Sequence, residues 1–114
     1  MFRFALLGLL FAAPAVAETT RITEESVFVA AVSGKSLTSL GVRLVVTPDG
    51  AISGRAFGRN VTGAWQWQSG MFCREMTAGS QVFARNCQVV QRDGNSMTFV
   101  ADEGRGDTAR LTLR

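Results

Sequence analysis

Val61-Thr62-Gly63-Ala64-Trp65-Gln66-Trp67-Gln68, ended by Ser69-Gly70, is the stretch that decides the fold of this chain. Its repeat is two residues, the signature of a strand with one face on a core and the other in water. Val61, Gly63, Trp65 and Trp67 share one face, and Thr62, Ala64, Gln66 and Gln68 the other. Two indole rings carry the largest apolar surfaces of the domain, so the tryptophan face is expected to point inward. An alternative keeps part of that face as the wall of a ligand pocket.

The same texture extends in both directions. Upstream, Gly41 to Thr47 and Ala51 to Gly58 read as strands joined at Pro48-Asp49-Gly50, with Gly58-Arg59-Asn60 turning the chain into the tryptophan strand. Downstream follow Met71 to Met76, Val82 to Gln91, Ser96 to Asp102 and Thr108 to Leu113, separated by turn residues including Asp93-Gly94-Asn95 and the Gly-rich Glu103 to Asp107. Connections this short permit only sequential antiparallel neighbours. The expected architecture is mainly β: an up-and-down meander or partly open barrel of about seven strands. Gly54 and Gly63, inside strands, suit bends or bulges at barrel corners. A short helix capped by Thr23 and ended at Ser33-Gly34 precedes the strands, with Val27, Phe28, Ala31 and Val32 forming an apolar side suited to plugging an opening.

Residues 1–17 read as a secretory signal peptide. Arg3 supplies a positive charge, an apolar run follows that is too short to span a bilayer, and Ala15-Val16-Ala17 supplies small residues for cleavage before Glu18. The expected location is periplasmic or secreted, in a bacterium. The 97 residues from Glu18 to Arg114 form one domain. No later apolar stretch is long enough to span a membrane. The basic residues, all arginine except Lys35, are scattered singly along the chain, which disfavours a nucleic-acid or anionic-membrane surface.

Export into an oxidising compartment lets Cys73 and Cys87, the only two cysteines, pair across adjacent strands. They lack the Cys-x-x-Cys spacing of a redox site, so a structural disulfide is expected. Counting by twos places Met71, Cys73 and Glu75 on one face of their strand, and Phe83, Arg85, Cys87 and Val89 on one face of the next. The chain has no His and no Tyr, which removes the usual general base and the usual metal and haem ligand. The remaining titratable candidates are Glu75, beside Arg74 or Arg85, and Asp102, Glu103 and Asp107 in the last turn, which lack the ligand spacing of a calcium loop. Gly104 to Ala109 matches a dinucleotide fingerprint, but only Arg110 to Arg114 follow and no helix fits there. No cofactor and no metal are expected.

Gly63-Ala64-Trp65-Gln66-Trp67, Ser69-Gly70, Cys73-Arg74, Cys87-Gln88-Val89 and Asp93-Gly94-Asn95 together resemble a group of small exported bacterial proteins of unknown function, over about Thr23 to Leu113. In that group a Gly-x-Trp strand, a Cys-Arg pair and a later Cys recur in this order. Some members carry the label dihydrodipicolinate reductase; such an enzyme needs a nucleotide-binding domain and a substrate domain, and 97 residues hold neither. The resemblance therefore implies export, a disulfide and a β fold. Function is expected to be non-enzymatic: a binding or inhibitory module presenting loops to a periplasmic protein or small molecule. The alternatives are a carrier of a small hydrophobic ligand inside the barrel, limited by the little volume that seven short strands leave, and a minimal carboxylate enzyme. Candidate contact residues are Trp65, Trp67, Arg74 and Arg85.

Overall fold

The computed structural model describes residues 19–114; the expected leader and the cut before Glu18 lie outside them. Nine strands and two short helical segments follow in the order β1 (Thr20–Ile22), α1 (Glu25–Val32), β2 (Leu37–Ser39), β3 (Val42–Val46), β4 (Ala51–Ala56), β5 (Arg59–Gln68), β6 (Met71–Ala78), β7 (Gln81–Asp93), β8 (Ser96–Val100), α2 (Ala101–Gly104) and β9 (Thr108–Leu113). Strands β2 to β9 pair with their sequence neighbours, and β2 pairs with β9 through Leu37↔Leu113 and Thr38↔Thr112. That pairing closes an eight-stranded antiparallel up-and-down barrel. Closure removes the free edges that an open sheet of this length would expose.

The expected seven strands are all present, and two more join them. Each of the additions, β1 and β2, has three residues, too few for an alternating pattern to stand out. β1 lies outside the ring and pairs with β7 at Val90 to Arg92, where β6 has ended. Other boundaries shift by a few residues. The β4–β5 turn is Phe57-Gly58, so Arg59 and Asn60 belong to β5, and β8 stops at Val100. In α2, Asp102 and Glu103 adopt left-handed φ angles of 54° and 59°.

α1 closes one end of the barrel. Thr23 does not cap it: the helix begins after Glu24, with no side-chain cap bond, and the Thr23 carbonyl instead accepts a hydrogen bond from Trp67 Nε1 at 3.0 Å. Phe28, Ala31 and Val32 are buried, whereas Val27 faces solvent. The Phe28 ring sits among Trp65, Trp67, Phe72 and Phe99, with centroid separations from 5.1 to 6.5 Å. Edge-on and offset aromatic contacts of this kind add to the gain from apolar burial. The tryptophan face of β5 points inward as its alternation predicts. Trp65 is 4% exposed and donates Nε1–H to the Thr47 carbonyl, while Trp67, nearer the end of the strand, is half-buried.

Gly54 and Gly63 are required by close backbone approach, and neither marks a bulge. A Cβ at Gly54 would lie 2.0 Å from the Arg43 carbonyl oxygen, and one at Gly63 would lie 2.4 Å from that of Glu75. The bulge is on β7. Arg74 pairs with Asn86 and Met76 with Phe83, so β7 carries one residue more than β6 between those pairs. The extra residue reverses the face of everything before it. Phe83 consequently turns to the interior, contrary to the shared face expected from counting by twos, while Cys87 stays opposite Cys73.

Candidate functional site

The end of the barrel away from α1 is open. A cavity of 760 Å³ runs down from it to Phe72 and Phe99, the upper faces of the aromatic floor. This corrects the expectation that the strands leave little internal volume. An eighth strand widens the ring, and the eight-residue helix fills only one end of it.

The wall comes from alternate residues of successive strands. Val42, Leu44 and Val46 of β3, Ile52 and Ala56 of β4, and Phe72, Met76 and Ala78 of β6 face inward, joined by Phe83 of β7 and Leu111 of β9. Each set follows the period of two that the sequence displays. Phe57, Arg59 and Gln81 border the cavity at its mouth, and Ser39 and Arg110 also belong to its lining.

Arg74 and Gln88 interrupt this apolar lining at mid-height, on neighbouring strands. Arg74 follows Phe72 by two residues and therefore points inward by the same alternation. Its Nη1–H donates to the Ala84 carbonyl at 2.8 Å, an oxygen that the β7 bulge leaves outside the regular ladder. Burial lowers the guanidinium pKa from its ordinary value. Among the described residues no carboxylate pairs with Arg74; the single ion pair joins Arg105 to Glu103 on the exterior. Gln88 is 9% exposed and adds an amide beside the guanidinium. A cation on an apolar wall without a counter-ion is suited to an anionic group arriving from outside.

The four candidate contact residues separate. Arg74 lines the cavity, but Trp65 and Trp67 form part of the plug below it. Their exposed edges border only a shallow groove with Glu25, Pro48 and Asp49 at the opposite end. Arg85 stands outside the barrel and donates to Gln68 Oε1 at 2.6 Å. The carboxylates do not converge either. Glu75 is exposed, and Asp102 exchanges two hydrogen bonds with Asn86: its Oδ1 accepts from Nδ2 at 2.7 Å and its backbone N–H donates to Oδ1 at 2.9 Å. Glu103 faces Arg105.

Cys73 and Cys87 are disulfide-bonded, directly across β6 and β7 with Cα atoms 3.9 Å apart. The bond fixes the register one residue from Arg74 and Gln88 and thereby holds both on the inner face. Sequence reasoning did not single out Met76, Phe83, Gln88 or the mouth residues. Met76 was legible as the next even step after Phe72 and Arg74, whereas Phe83 was hidden by the bulge. No helix among the described residues is long and apolar enough to cross a membrane. Compared with protein-family models, curated proteins and solved structures, the chain matches none.

Proposed function

We propose that the protein is a non-enzymatic carrier of one small, predominantly apolar molecule bearing an anionic group, held in the barrel with its acid on Arg74 and its apolar body against the wall. The observation that carries this reading is the Arg74 guanidinium, without a carboxylate partner among the described residues, on the wall of a mostly apolar cavity that Arg59 and Arg110 also line. The cavity volume falls within the ~300 to 1,000 Å³ of small-molecule sites, and closed eight-stranded barrels have room for a single ligand. A module acting only through its loops needs no such interior, and an enzyme needs converging titratable groups, so the carrier reading ranks above both.

The test is a fluorescence titration with 11-dansylaminoundecanoic acid and its uncharged methyl ester. The acid should bind saturably at one site, be displaced by an unlabelled long-chain fatty acid, and bind at least about tenfold more tightly than the ester, the contribution of one charge-assisted contact. No saturable binding would refute the carrier reading. Equal binding of acid and ester would refute the role of Arg74.

A further inference from the structure

The two hairpin tips on one side of the mouth carry large apolar side chains that folding does not require. Leu40, in the β2–β3 turn, is 95% exposed, and Phe57, in the β4–β5 turn, is 77% exposed. Phe57 and Gly58 have φ angles of 51° and 79°, the pattern of a two-residue hairpin turn with left-handed residues at both central positions. That conformation favours Asn, Asp or Gly, and a bulky aromatic residue adopts it only with strain. Neither backbone preference nor burial accounts for a Phe at this position.

The two tips form one projection. Phe57 N–H donates to the Gly41 carbonyl at 2.7 Å, and the ring lies so close over Gly41 that a Cβ there would stand 2.8 Å from it. Directly behind, Arg43 and Arg55 face each other across β3 and β4 on the outer surface. Like charges placed opposite one another in a ladder repel, and among the described residues no carboxylate pairs with either. Arg55 is held toward the tip by Asn60 Oδ1 at 2.9 Å and the Gly58 carbonyl at 2.6 Å. Arg59 stands at the base of the same turn. Between Glu25 and Glu75 the sole acidic residue is Asp49, at the plugged end. Arginines that the sequence scatters are thus collected by the strands beside two exposed apolar tips.

We infer that this edge of the mouth docks on an anionic phospholipid bilayer, with Leu40 and Phe57 entering the headgroup boundary and Arg43, Arg55 and Arg59 meeting lipid phosphates. Apolar side chains that enter the interface, backed by cations, are the combination such a surface selects, and guanidinium groups match phosphate geometry. Two projecting side chains can insert between headgroups, whereas they offer a protein partner little of the contiguous area that a stable interface needs. The opposite side of the mouth carries Asp102, Glu103 and Asp107 against Arg105 and Arg110, a net negative balance, so the barrel tilts onto its β2–β5 side. Phe57 and Arg59 also border the cavity, which places the mouth against the lipid. The surface can be tested independently of any cavity ligand.

The experiment is co-sedimentation of the chain from Glu18 onward, within which every described strand, the plug and the disulfide lie, with phosphatidylglycerol-containing and with pure phosphatidylcholine vesicles. Binding to the anionic vesicles should weaken with added salt. Phe57→Asn, which suits the turn and keeps the fold, should weaken binding roughly tenfold, as half-burial of one ring implies. Arg43→Gln and Arg55→Gln should each weaken it about fivefold. Absence of binding to anionic vesicles, or unchanged binding by Phe57→Asn, would overturn the proposal. Self-association through the same residues without vesicle binding would overturn it equally, and would assign the patch to a protein contact.

Discussion

Replacing Arg74 by Met should affect ligand affinity and intrinsic stability differently, because the guanidinium serves a bound molecule more than the empty barrel. Among the described residues Arg74 makes one hydrogen bond, to the Ala84 carbonyl, and has no carboxylate partner. Losing that bond costs about 1 kcal/mol. Against this, Met places a flexible apolar chain of similar length on an apolar wall and removes a partly desolvated charge, a change that is often neutral or stabilising. Ala84 is exposed, so water can satisfy the carbonyl left behind. The net change in unfolding free energy should therefore stay within about 1 kcal/mol of zero. For an anionic ligand the loss is a charge-assisted contact worth about 1.5 to 3 kcal/mol, or roughly ten- to 150-fold in Kd. Urea denaturation of the ligand-free protein and dansyl-acid titration measure the two quantities separately. A variant destabilised by about 3 kcal/mol or more, as when one member of a buried ion pair is removed, with affinity unchanged, would show that Arg74 is structural and refute the reasoning.

Trp65→Ala should cost about 3 to 5 kcal/mol in urea denaturation, the range for a fully buried ring, and the half-buried Trp67→Ala should cost clearly less; equal costs would contradict their unequal burial. Cys73→Ser or Cys87→Ser should cost about 2 to 5 kcal/mol, and thiol titration of the unreduced native protein should find no reactive thiol. Phe57→Asn should raise the unfolding free energy by about 1 kcal/mol, the strain released at a left-handed bulky residue, measurable as an increased denaturation midpoint. If residues 1–17 direct export, intact-mass measurement of protein recovered from the periplasm should place its first residue at Glu18, and a retained Met1 would refute the leader.

Strand character was legible wherever a strand was long enough to alternate. Eight residues of β5 announce their inward face, and Val42, Leu44 and Val46 announce that of β3. The cysteines were legible for the same reason: both lie on the bulge-free part of the β6–β7 ladder, where counting by twos holds. The helix was legible as a plug from Phe28, Ala31 and Val32, although its cap was misplaced because Thr23 engages Trp67 through its carbonyl. The three-residue strands were not legible, and with β2 went the closure of the ring. The bulge was equally hidden, since no residue at Ala84-Arg85 signals an extra position. The tryptophans were legible as core, and the alternative of a pocket wall fails for them because both pack on Phe28 beneath the cavity, a long-range contact that spacing along β5 does not display.

An open cavity also explains where the fold concentrates its cohesion. Side chains that would interdigitate in a filled barrel, such as Leu44, Met76 and Phe83, have space on one side and lose dispersion contacts there. The compensating contacts lie at the two margins of the cavity. Below it, Phe28 brings Trp65, Phe72 and Phe99 into a single aromatic cluster that ties the helix to β5, β6 and β8. Beside it, the disulfide pins β6 to β7 next to the bulge, where the hydrogen-bond ladder is interrupted. Between these fixed regions Arg74 takes its orientation from the bulge carbonyl and its inward direction from the strand that the disulfide holds. The same irregularity that turns Phe83 into the cavity thus presents the hydrogen-bond acceptor that steadies Arg74 on its wall.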